Sequence, residues 1–523
     1  KKVIIMDPID MMVCDHNCEY LGLSRLCLME NAGKSLSDEV ATLSTFKFSK
    51  PVKIIIFTGS GGNGGDGFVA ARHLLNRGFE VELYSLASPE EIKSIDSLIN
   101  LEVLMNLNPR ISRLNITFIK DSSDLDSIDL GVVDEEFIVL DCLLGTGIKG
   151  KLRAKMRKTI EFINEIPGLT VAVDVPSGLD PLTGEITDIA VKADYTVSFH
   201  KVKTGVKLAD EEYVGGSITC DIGIPLEAEL FVEGGDLLRF RPRKSDSHKG
   251  QNGNILVIGG SENYYGAPAI ASKAAIATGV DLTYIYTSKL QANAIKSLSE
   301  DFIVFESKND NLSMDDSEDI LNLVDKVDAV LLGPGAGCDE NTMKLFNVLA
   351  MKIKKPLVLD ADALKVVKMS LIAKKDNVVI TPHMAEFKMF FQDIIREQSI
   401  DLDKKYDDLD FRDVDKKISN LQRITRYIEG SVILKGEFDY IFNGTKFKIN
   451  RSGNPGMTCG GSGDALAGIV VSLLAQGLNP FDSAILATFF NGTAGDLAME
   501  DLGYGYGAED LIKYLSVLMQ DLI

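Results

Sequence analysis

Short hydrophobic runs alternate with amphipathic segments along the first half of the chain. The runs are rich in β-branched residues and lie in the segments 52–57, 81–86, 137–147, 169–180, 193–200 and 216–225. Strands that are apolar on both faces and separated by helices are typical of a parallel sheet covered on both sides. The pattern predicts an α/β fold, with a helix over 67–78 after the first strand.

The same alternation begins again in the second half. Five strand segments each end in glycine or polar residues, and they lie at 252–270, 328–337, 355–364, 376–387 and 430–439. The carboxyl ends of the strands in an open α/β sheet share one edge, and ligands bind there. We therefore predict that these five loops converge on one cleft.

A charged segment that contains several glycines separates the two halves at 226–248. A chain of 523 residues is also too long for one ordinary hydrophobic core. We therefore predict two α/β domains, residues 1–229 and residues 230–523.

The composition narrows the range of partners. The net charge of -21 disfavours nucleic acid, because nucleic-acid binding depends on Lys and Arg that neutralise phosphates. We see neither a signal peptide nor an apolar run of the ~18–20 residues that span a membrane. The seven cysteines are odd in number and mostly far apart, so we expect no disulfide framework. These features predict a cytoplasmic protein that binds neither nucleic acid nor membrane.

The stretch CDHNC places Cys14, His16 and Cys18 close together. Such a group can bind a metal ion, but no second ligand pair follows at a spacing typical of zinc sites. The motif is short and such short matches are often accidental, so metal binding here is the less favoured interpretation.

The first glycine loop, GSGGNGGDG (59–67), follows a predicted strand. It does not fit a dinucleotide-binding Rossmann site, because no acidic residue ends the next strand and Asp66 occupies the expected helix start. A tight turn required by packing is one explanation for so many glycines. Asp141, Asp174 and Ser177 follow neighbouring strands, and such oxygens can bind a hard cation or act in acid–base catalysis.

The second glycine loop, MTCGGSGDALAGI (457–469), leads into an apolar helical segment. The chain has no G-x-x-x-x-G-K-[ST] sequence, so it is not a P-loop kinase. Glycines at a helix start let backbone N–H groups bind an anion such as a phosphoryl group. Asp464, just inside the helix, can then take a proton from an attacking hydroxyl. An aspartate that only stabilises the helix N-terminus is the alternative.

Four motifs of the first half resemble the NAD(P)H-hydrate epimerase domain, also called the YjeF N-terminal domain. They are LMENAG (28–33), GGNGGDGFVAAR (61–72), DCLLGTG (141–147) and VDVPSGLD (173–180). The resemblance covers most of residues 11–225 and implies a Rossmann-like three-layer sandwich. It differs at Gly62, where the family usually has asparagine.

The resemblance also implies site residues. Asn63, Asp141 and Ser177 would bind a potassium ion, and Asp174 would be the acid–base residue. The residues that would contact the hydrated dinucleotide are Gly62, Asn63, Gly64, Gly65, Asp66, Gly145, Thr146, Gly147, Ile148, Lys149, Gly150, Lys151 and Asp174.

Five motifs of the second half resemble the ribokinase-like superfamily, and within it ADP/ATP-dependent NAD(P)H-hydrate dehydratase. They are DSHKGQNGNILVIGGSENYYGAPAIA (246–271), GPGAG (333–337), DADAL (360–364), TPHMAEF (381–387) and GGSGDALAG (460–468). The resemblance implies that Ala267, Gly335, His383 and Asp464 contact the hydrated dinucleotide. The implied nucleotide contacts are Lys435, Gly436, Glu437, Phe438, Asp439, Gly461, Ser462 and Gly463.

Together the two resemblances imply a bifunctional enzyme that repairs hydrated NADH and NADPH. The first domain would interconvert the R and S epimers in the presence of K⁺. The second would phosphorylate the S epimer with Mg²⁺ and ADP or ATP, ADP being preferred, with Asp464 as base, and would then eliminate phosphate. The resemblance also implies a homo-oligomer that assembles through the second domain. Two alternatives remain: a ribokinase-like small-molecule kinase, and a nucleotide-sensing module without turnover.

Overall fold

The computed structural model describes residues 5–50, 52–128, 136–145, 151–400, 402, 414–444 and 446–522. The chain divides into two compact units, Lys1–Glu229 and Leu230–Ile523, called the first and second unit below. Among the described residues, no helix is both long and apolar enough to cross a membrane.

The first unit alternates strands and helices. Its elements in chain order are β1 (Ile5–Met6), α1 (Pro8–Tyr20), α2 (Arg25–Lys47), β2 (Val52–Thr58), α3 (Gly62–Asn76), β3 (Glu80–Ser85), α4 (Ile95–Leu107), β4 (Leu114–Phe118), β5 (Glu136–Cys142), α5 (Ala154–Glu165), β6 (Leu169–Val173), β7 (Tyr195–Phe199), β8 (Val202–Lys203), α6 (Thr204–Leu208), α7 (Glu211–Val214), β9 (Gly216–Cys220) and α8 (Leu226–Leu230).

Seven parallel strands form the main sheet of the first unit, in the order β4-β3-β2-β5-β6-β7-β9. The strand order reverses between β2 and β5, which is where a doubly wound sheet opens a crevice for ligands. Asn63 lies in the first turn of α3, which follows β2, and Asp141 lies near the carboxyl end of β5, so the fold places two of the predicted site residues at this crevice.

The core of the first unit has one layer on each side of the sheet. Along β2, Ile54 and Ile56 pack into the layer that contains α2 and α3, whereas Ile55 and Phe57 pack into the layer that contains α5. Successive strand residues point to opposite faces, so the continuous apolar run follows directly from burial on both sides. The predicted three-layer sandwich is confirmed.

Helix α3 begins at Gly62, five residues before the predicted start, so Gly62–Asp66 form its first turns instead of a loop. Gly64 and Gly65 are required in this turn because the neighbouring atoms leave no room for side chains. A Cβ on Gly64 would lie 2.3 Å from the Gly59 carbonyl oxygen, and one on Gly65 would lie 2.4 Å from Ser97 Oγ. Close packing thus outweighs the low helix propensity of glycine.

The second unit repeats the alternation. Its elements in chain order are β10 (Asn254–Ile258), α9 (Gly266–Ala277), β11 (Leu282–Thr287), α10 (Ala292–Lys296), β12 (Phe302–Glu306), α11 (Ser317–Val324), β13 (Ala329–Leu332), α12 (Glu340–Lys352), β14 (Leu357–Leu359), α13 (Asp362–Val366), β15 (Val378–Ile380), α14 (Met384–Phe390), α15 (Gln392–Glu397), α16 (Val414–Thr425), β16 (Ser431–Leu434), β17 (Asp439–Asn443), β18 (Lys446–Asn450), α17 (Ser462–Ala475), α18 (Pro480–Leu502) and α19 (Ala508–Asp521).

Nine strands form the sheet of the second unit, in the order β12-β11-β10-β13-β14-β15-β16-β17-β18. The strands from β12 to β16 are parallel, whereas β17 and β18 add an antiparallel edge that the sequence pattern did not predict. On β13, Val330 and Leu332 face one core layer, and Ala329 and Leu331 face the other. Because β14, β15 and β16 are adjacent and parallel, the loops that follow them lie next to one another at one edge of the sheet.

Candidate active sites

In the first unit, hydrogen bonds connect the three predicted potassium ligands. Ser177 Oγ donates to Asp141 Oδ1 at 2.6 Å, and the Ser177 N–H donates to Asp141 Oδ2 at 2.7 Å. Leu144 accepts a bond from Asn63 Nδ2 at 3.0 Å, and its own N–H donates to Ser177 Oγ at 2.9 Å. The fold thus assembles side chains that are 114 positions apart in the sequence, from Asn63 to Ser177.

This network contains one buried amide oxygen without a hydrogen-bond partner and one buried carboxyl group with a raised pKa. Asn63 Oδ1 is buried and has no hydrogen-bond partner among the described residues. Burial raises the pKa of Asp141 to about 6, although hydrogen bonds from Ser177 oppose this shift. A buried amide oxygen and a buried carboxylate are suitable ligands for a hard cation, and a cation there would favour the ionised carboxylate.

A cavity of about 320 Å³ opens beside this network. Gly62, Asp66 and Asp174 line it, as the sequence predicted for substrate contacts. Asp15 of α1 and Lys203 of β8 also line it, and the sequence analysis assigned no role to either. No motif marks them: Lys203 is one of three lysines in HKVKTGVK, and Asp15 lies inside the stretch first considered as a metal site.

Asp174 has an unusual backbone conformation for a residue other than glycine, with φ at 64°. It follows β6, and the buried Lys203 ammonium forms an ion pair with its carboxylate. The Phe199 N–H also donates to Asp174 Oδ1 at 3.3 Å. Strain of this kind persists only where surrounding contacts fix it, and it is frequent at active sites.

Two further carboxyl groups of the cavity hold their protons more strongly than usual. Burial raises the pKa of Asp15 to about 6, and the Lys203 ammonium only partly opposes this. Burial also holds the pKa of Asp66 well above its usual range, so this group favours its neutral form at neutral pH. The cavity therefore combines a neutral carboxyl group with one carboxylate–ammonium pair.

The remaining predicted contacts of the first unit differ in position. Gly145 lies beside Asn63, since a Cβ on it would be 3.5 Å from Asn63 Cβ, and Lys151 is exposed. Gly64 and Gly65 are buried in the packing of α3. Five predicted residues lie outside the described part of the chain: Thr146, Gly147, Ile148, Lys149 and Gly150.

The stretch CDHNC lies on α1. Cys14 and Cys18 are buried in the core as free thiols, and His16 Nε2 lies 2.7 Å from the Arg25 guanidinium. Within the described residues, no group of three or more His, Cys, Asp or Glu side chains is arranged to bind a metal ion. The two thiols contribute to the hydrophobic core of the first unit.

In the second unit, three neighbouring strand ends meet at Asp360. Its Oδ1 lies 3.0 Å from Lys435 Nζ and accepts a bond from Thr381 Oγ1 at 2.7 Å. Burial lowers the pKa of Lys435, but Asp360, Glu386 and Asp464 together outweigh burial and raise it overall. His383, two residues beyond Thr381, forms a β-bridge with Lys435. The expected convergence of strand-end loops is therefore present.

Asp464 lies in the first turn of α17. Its pKa is raised to about 7, chiefly by burial and also by the Asp360 carboxylate, although the Lys435 ammonium opposes the rise. Lys435 also faces the start of this helix, because a Cβ on Gly463 would lie 3.4 Å from Lys435 Nζ. A carboxylate, an ammonium and a helix N-terminus thus meet at one place. Such a site can bind a phosphoryl group and accept a proton beside it.

A cavity of about 750 Å³ adjoins this site. The predicted nucleotide-binding residues that line it are Lys435, Gly436, Glu437, Phe438, Asp439, Ser462 and Gly463. Gly461, the remaining one, is the N-cap of α17 with φ at 96°. The sequence analysis missed the opposite wall, which includes Arg451, Asn454 and Asn491. These residues lie outside every quoted motif.

Two side chains of this cavity have local partners. Ser462 Oγ donates to the Met457 carbonyl oxygen at 2.7 Å, so the side chain shapes the glycine loop. Burial raises the pKa of Asp439 to about 6, although Asn450 donates to its carboxylate at 3.2 Å. The cationic groups that line the cavity are Lys435 and Arg451.

The predicted dinucleotide contacts of the second unit lie at the starts of α9 and α14 and after β13. Gly335, with φ at 58°, packs close to Ala267: a Cβ on it would be 3.1 Å from Ala267 Cβ. Helix α9 also meets the start of α17, because a Cβ on Gly461 would lie 2.7 Å from Ile270 Cδ1. His383 caps α14 through its Nδ1 and has a half-exposed side chain.

Comparisons with known proteins match both units. The family model described as NAD(P)H-hydrate dehydratase matches residues 255–516. The model described as YjeF-related protein N-terminus matches residues 25–205.

Curated relatives match over nearly the whole chain. The bifunctional NAD(P)H-hydrate repair enzyme Nnr of Methanothermobacter thermautotrophicus is 45% identical over 523 residues, which is 99% of this chain and 96% of the relative. The enzyme of the same name from Hyperthermus butylicus is 38% identical and covers 97% of this chain and 90% of its own. A solved ADP/ATP-dependent NAD(P)H-hydrate dehydratase from Bacillus subtilis, co-crystallised with ATP/Mg²⁺, is 19% identical, with a TM-score of 0.45 over 56% of this chain and 99% of its own.

Proposed function

Since this chain belongs to the family of bifunctional NAD(P)H-hydrate repair enzymes, we propose that Asp464 and Asp174 are the catalytic residues of its two reactions. The enzyme interconverts the R and S epimers of hydrated NADH and NADPH and dehydrates the S epimer in a nucleotide-dependent reaction. The first unit carries the epimerase and the second unit the dehydratase. The observation that carries the proposal is the buried Asp464 at the start of α17, next to Lys435 and a cavity large enough for a nucleotide.

The dehydratase reaction begins with phosphoryl transfer. Asp464 takes the proton of the substrate hydroxyl, the hydroxyl oxygen bonds to the terminal phosphorus of the donor nucleotide, and the bond from that phosphorus to the remaining nucleotide breaks. The backbone N–H groups at the start of α17 and the Lys435 ammonium stabilise the charge on the moving group.

The reaction ends with an elimination. The phosphate leaves from the carbon that carried the hydroxyl group, and a proton leaves the neighbouring ring carbon, so that the double bond of NADH returns. Phosphorylation is needed because hydroxide is a poor leaving group. A pKa of about 7 suits Asp464 to its role as the base in the phosphoryl transfer, because general bases act best near the operating pH.

Two inorganic ions complete the proposal. The donor nucleotide would carry Mg²⁺, which neutralises its phosphate charge. Asn63, Asp141 and Ser177 would hold K⁺ in the first unit, and the unpartnered Asn63 Oδ1 and the buried Asp141 fit a cation there. Asp174 would act as the acid–base residue of the epimerase.

Three further expectations stay predictions: ADP as the preferred donor, a homo-oligomer formed through the second unit, and a cytoplasmic location. Small-molecule kinase activity is the alternative function for the second unit. It requires a phosphorylated product that accumulates, whereas the dehydratase returns NADH and free phosphate in equal amounts.

The test is the repair of a mixture of R- and S-NADHX, followed by the absorbance of NADH. With Mg²⁺, K⁺ and either ADP or ATP, we expect both epimers to be converted, and the faster nucleotide identifies the donor. The D464N variant should lose ~10²–10⁴-fold in rate, and the wild-type rate should rise with pH through about 7. A stable phosphorylated product, or no NADH from either epimer, would refute the dehydratase.

Replacing K⁺ with tetramethylammonium tests the first unit separately. We expect NADH to form quickly only until the S epimer initially present has been consumed, because only that epimer can be dehydrated directly. Recovery of both epimers at an unchanged rate without K⁺ would contradict the proposed cation site.

A further inference from the structure

Lys203 places a deeply buried ammonium group beside the candidate epimerase cavity, with 1% of its side chain exposed. It lies on β8, where its backbone pairs with Met6 of β1. A buried charge of this kind is costly and persists only where it is paired and hydrogen-bonded. The proposed function assigns it no role.

The contacts of Lys203 fix it against the acid–base candidate. Its Nζ forms an ion pair with Asp174 Oδ1 and donates to the Phe199 carbonyl oxygen at 3.1 Å. The Phe199 N–H donates to the same oxygen of Asp174. One carboxylate oxygen thus receives both bonds, and none of these contacts uses Asp174 Oδ2.

Lys203 is paired with only one of the carboxyl groups around it. Four carboxyl groups line the cavity, those of Asp15, Asp66, Asp96 and Asp174, and the ion pair of Lys203 is with Asp174. Burial raises the pKa of Asp15 to about 6 and holds that of Asp66 well above its usual range, so Asp66 favours the neutral acid at neutral pH. The other charged or titratable groups that line the cavity or interact with these carboxyls are Arg25, His200, Cys18 and Cys142.

We propose that Lys203 is the positioning residue of the epimerase: its ammonium pairs with the Asp174 carboxylate and holds it in one orientation toward the substrate. This inference rests on the proposed epimerase function of the first unit. Lys203 acts through Asp174 and need not touch the substrate. The Asp174 carboxylate next to the neutral Asp66 carboxyl group provides a base and an acid in one cavity, which inversion at a hydroxyl-bearing carbon can use.

The experiment measures epimer exchange with the whole chain in the absence of ADP and ATP. The dehydratase is then idle, so chromatography of R- and S-NADHX reports the epimerase alone, after subtraction of the rate without enzyme. Dehydration of purified S-NADHX by the same preparation reports whether the second unit is intact. The variants are K203M, K203R and the control K201M, which removes a neighbouring lysine that pairs with Glu229.

We expect K203M to lower kcat/KM for exchange by ~10²-fold or more. The pH profile of its remaining activity should differ from that of the wild type, because the cavity has lost its buried positive charge. K203R should restore the wild-type pH profile, at least in part, whereas K201M should resemble the wild type. Wild-type exchange and an unchanged pH profile in K203M would overturn the proposal.

A double-mutant comparison separates positioning from folding. If Lys203 acts through Asp174, K203M should cost little further activity in a D174N background. Equal losses in both backgrounds would mean that Lys203 only supports the structure, and the proposal would fail. Absence of exchange in the wild type, with intact dehydration of S-NADHX, would instead refute the epimerase function itself.

Discussion

Asp464 illustrates a conflict between stability and function at a single residue. Its carboxyl is buried beside Asp360, and the resulting pKa of about 7 lies well above its value in an unfolded chain. Between pH 4 and pH 7 the folded protein therefore holds a proton at this position that the unfolded chain releases. The free energy of unfolding should fall as the pH rises through this interval.

The D464N variant should remove this pH-dependent loss. At pH 8 we expect it to unfold with a free energy higher than that of the wild type by ~1–4 kcal/mol, and at pH 4 the difference should nearly disappear. Urea unfolding at both pH values measures this. The exposed Asp376 provides a control, since D376N should change stability by under ~0.5 kcal/mol at either pH. Equal effects of D464N at pH 4 and pH 8 would show that Asp464 is not proton-linked to folding.

The two sites differ in how far single residues could be predicted. Asp464 and Asp174 lie in motifs that indicate their chemistry, because glycines and an acid at a strand end or helix start are compatible with few functions. Lys203 was missed, since its importance arises from contact with Asp174, 29 positions earlier in the chain. Local patterns carry no information about such a contact.

At the scale of elements, burial on both faces of the sheets made the central strands predictable. β2, β5 and β6 lie where continuous apolar runs indicated strands. Edge elements such as β4, β17 and β18 were not predicted, because their runs are short or mix polar and apolar residues. The start of α3 was also wrong, because the glycine pattern indicated a loop and only tertiary packing makes it helical.

Helix α3 therefore offers a test of close packing. G64A places a methyl group 2.3 Å from the Gly59 carbonyl oxygen, which belongs to the backbone and cannot move cheaply. We expect a loss of roughly 1–3 kcal/mol in the free energy of unfolding, together with weaker epimerase activity because Asn63 precedes it. G61A is the matched control, since a Cβ there meets nothing within 4 Å and should cost under ~1 kcal/mol. Equal stability of the two variants would contradict this account of the helix.

At the scale of the whole molecule, each unit contains a complete set of candidate catalytic groups. Asp174 and its partner Lys203 lie in the first unit, and Asp464, Lys435 and Asp360 lie in the second. The two reactions are linked only by the S epimer, which is a diffusible small molecule. Inactivation of one site should therefore leave the other intact.

Two inactive variants should consequently complement each other in solution. D174N alone should convert only the S epimer, and D464N alone should exchange epimers without producing NADH. A mixture of the two should convert both epimers, because the S epimer formed by one chain can reach the second unit of another. NADH absorbance measures the final yield. The control is D174N mixed with the double variant D174N/D464N, and its NADH yield should not exceed the amount of S epimer initially present. If the mixture of single variants also stops there, the epimer passes between units of one chain without release, and the two sites do not act independently.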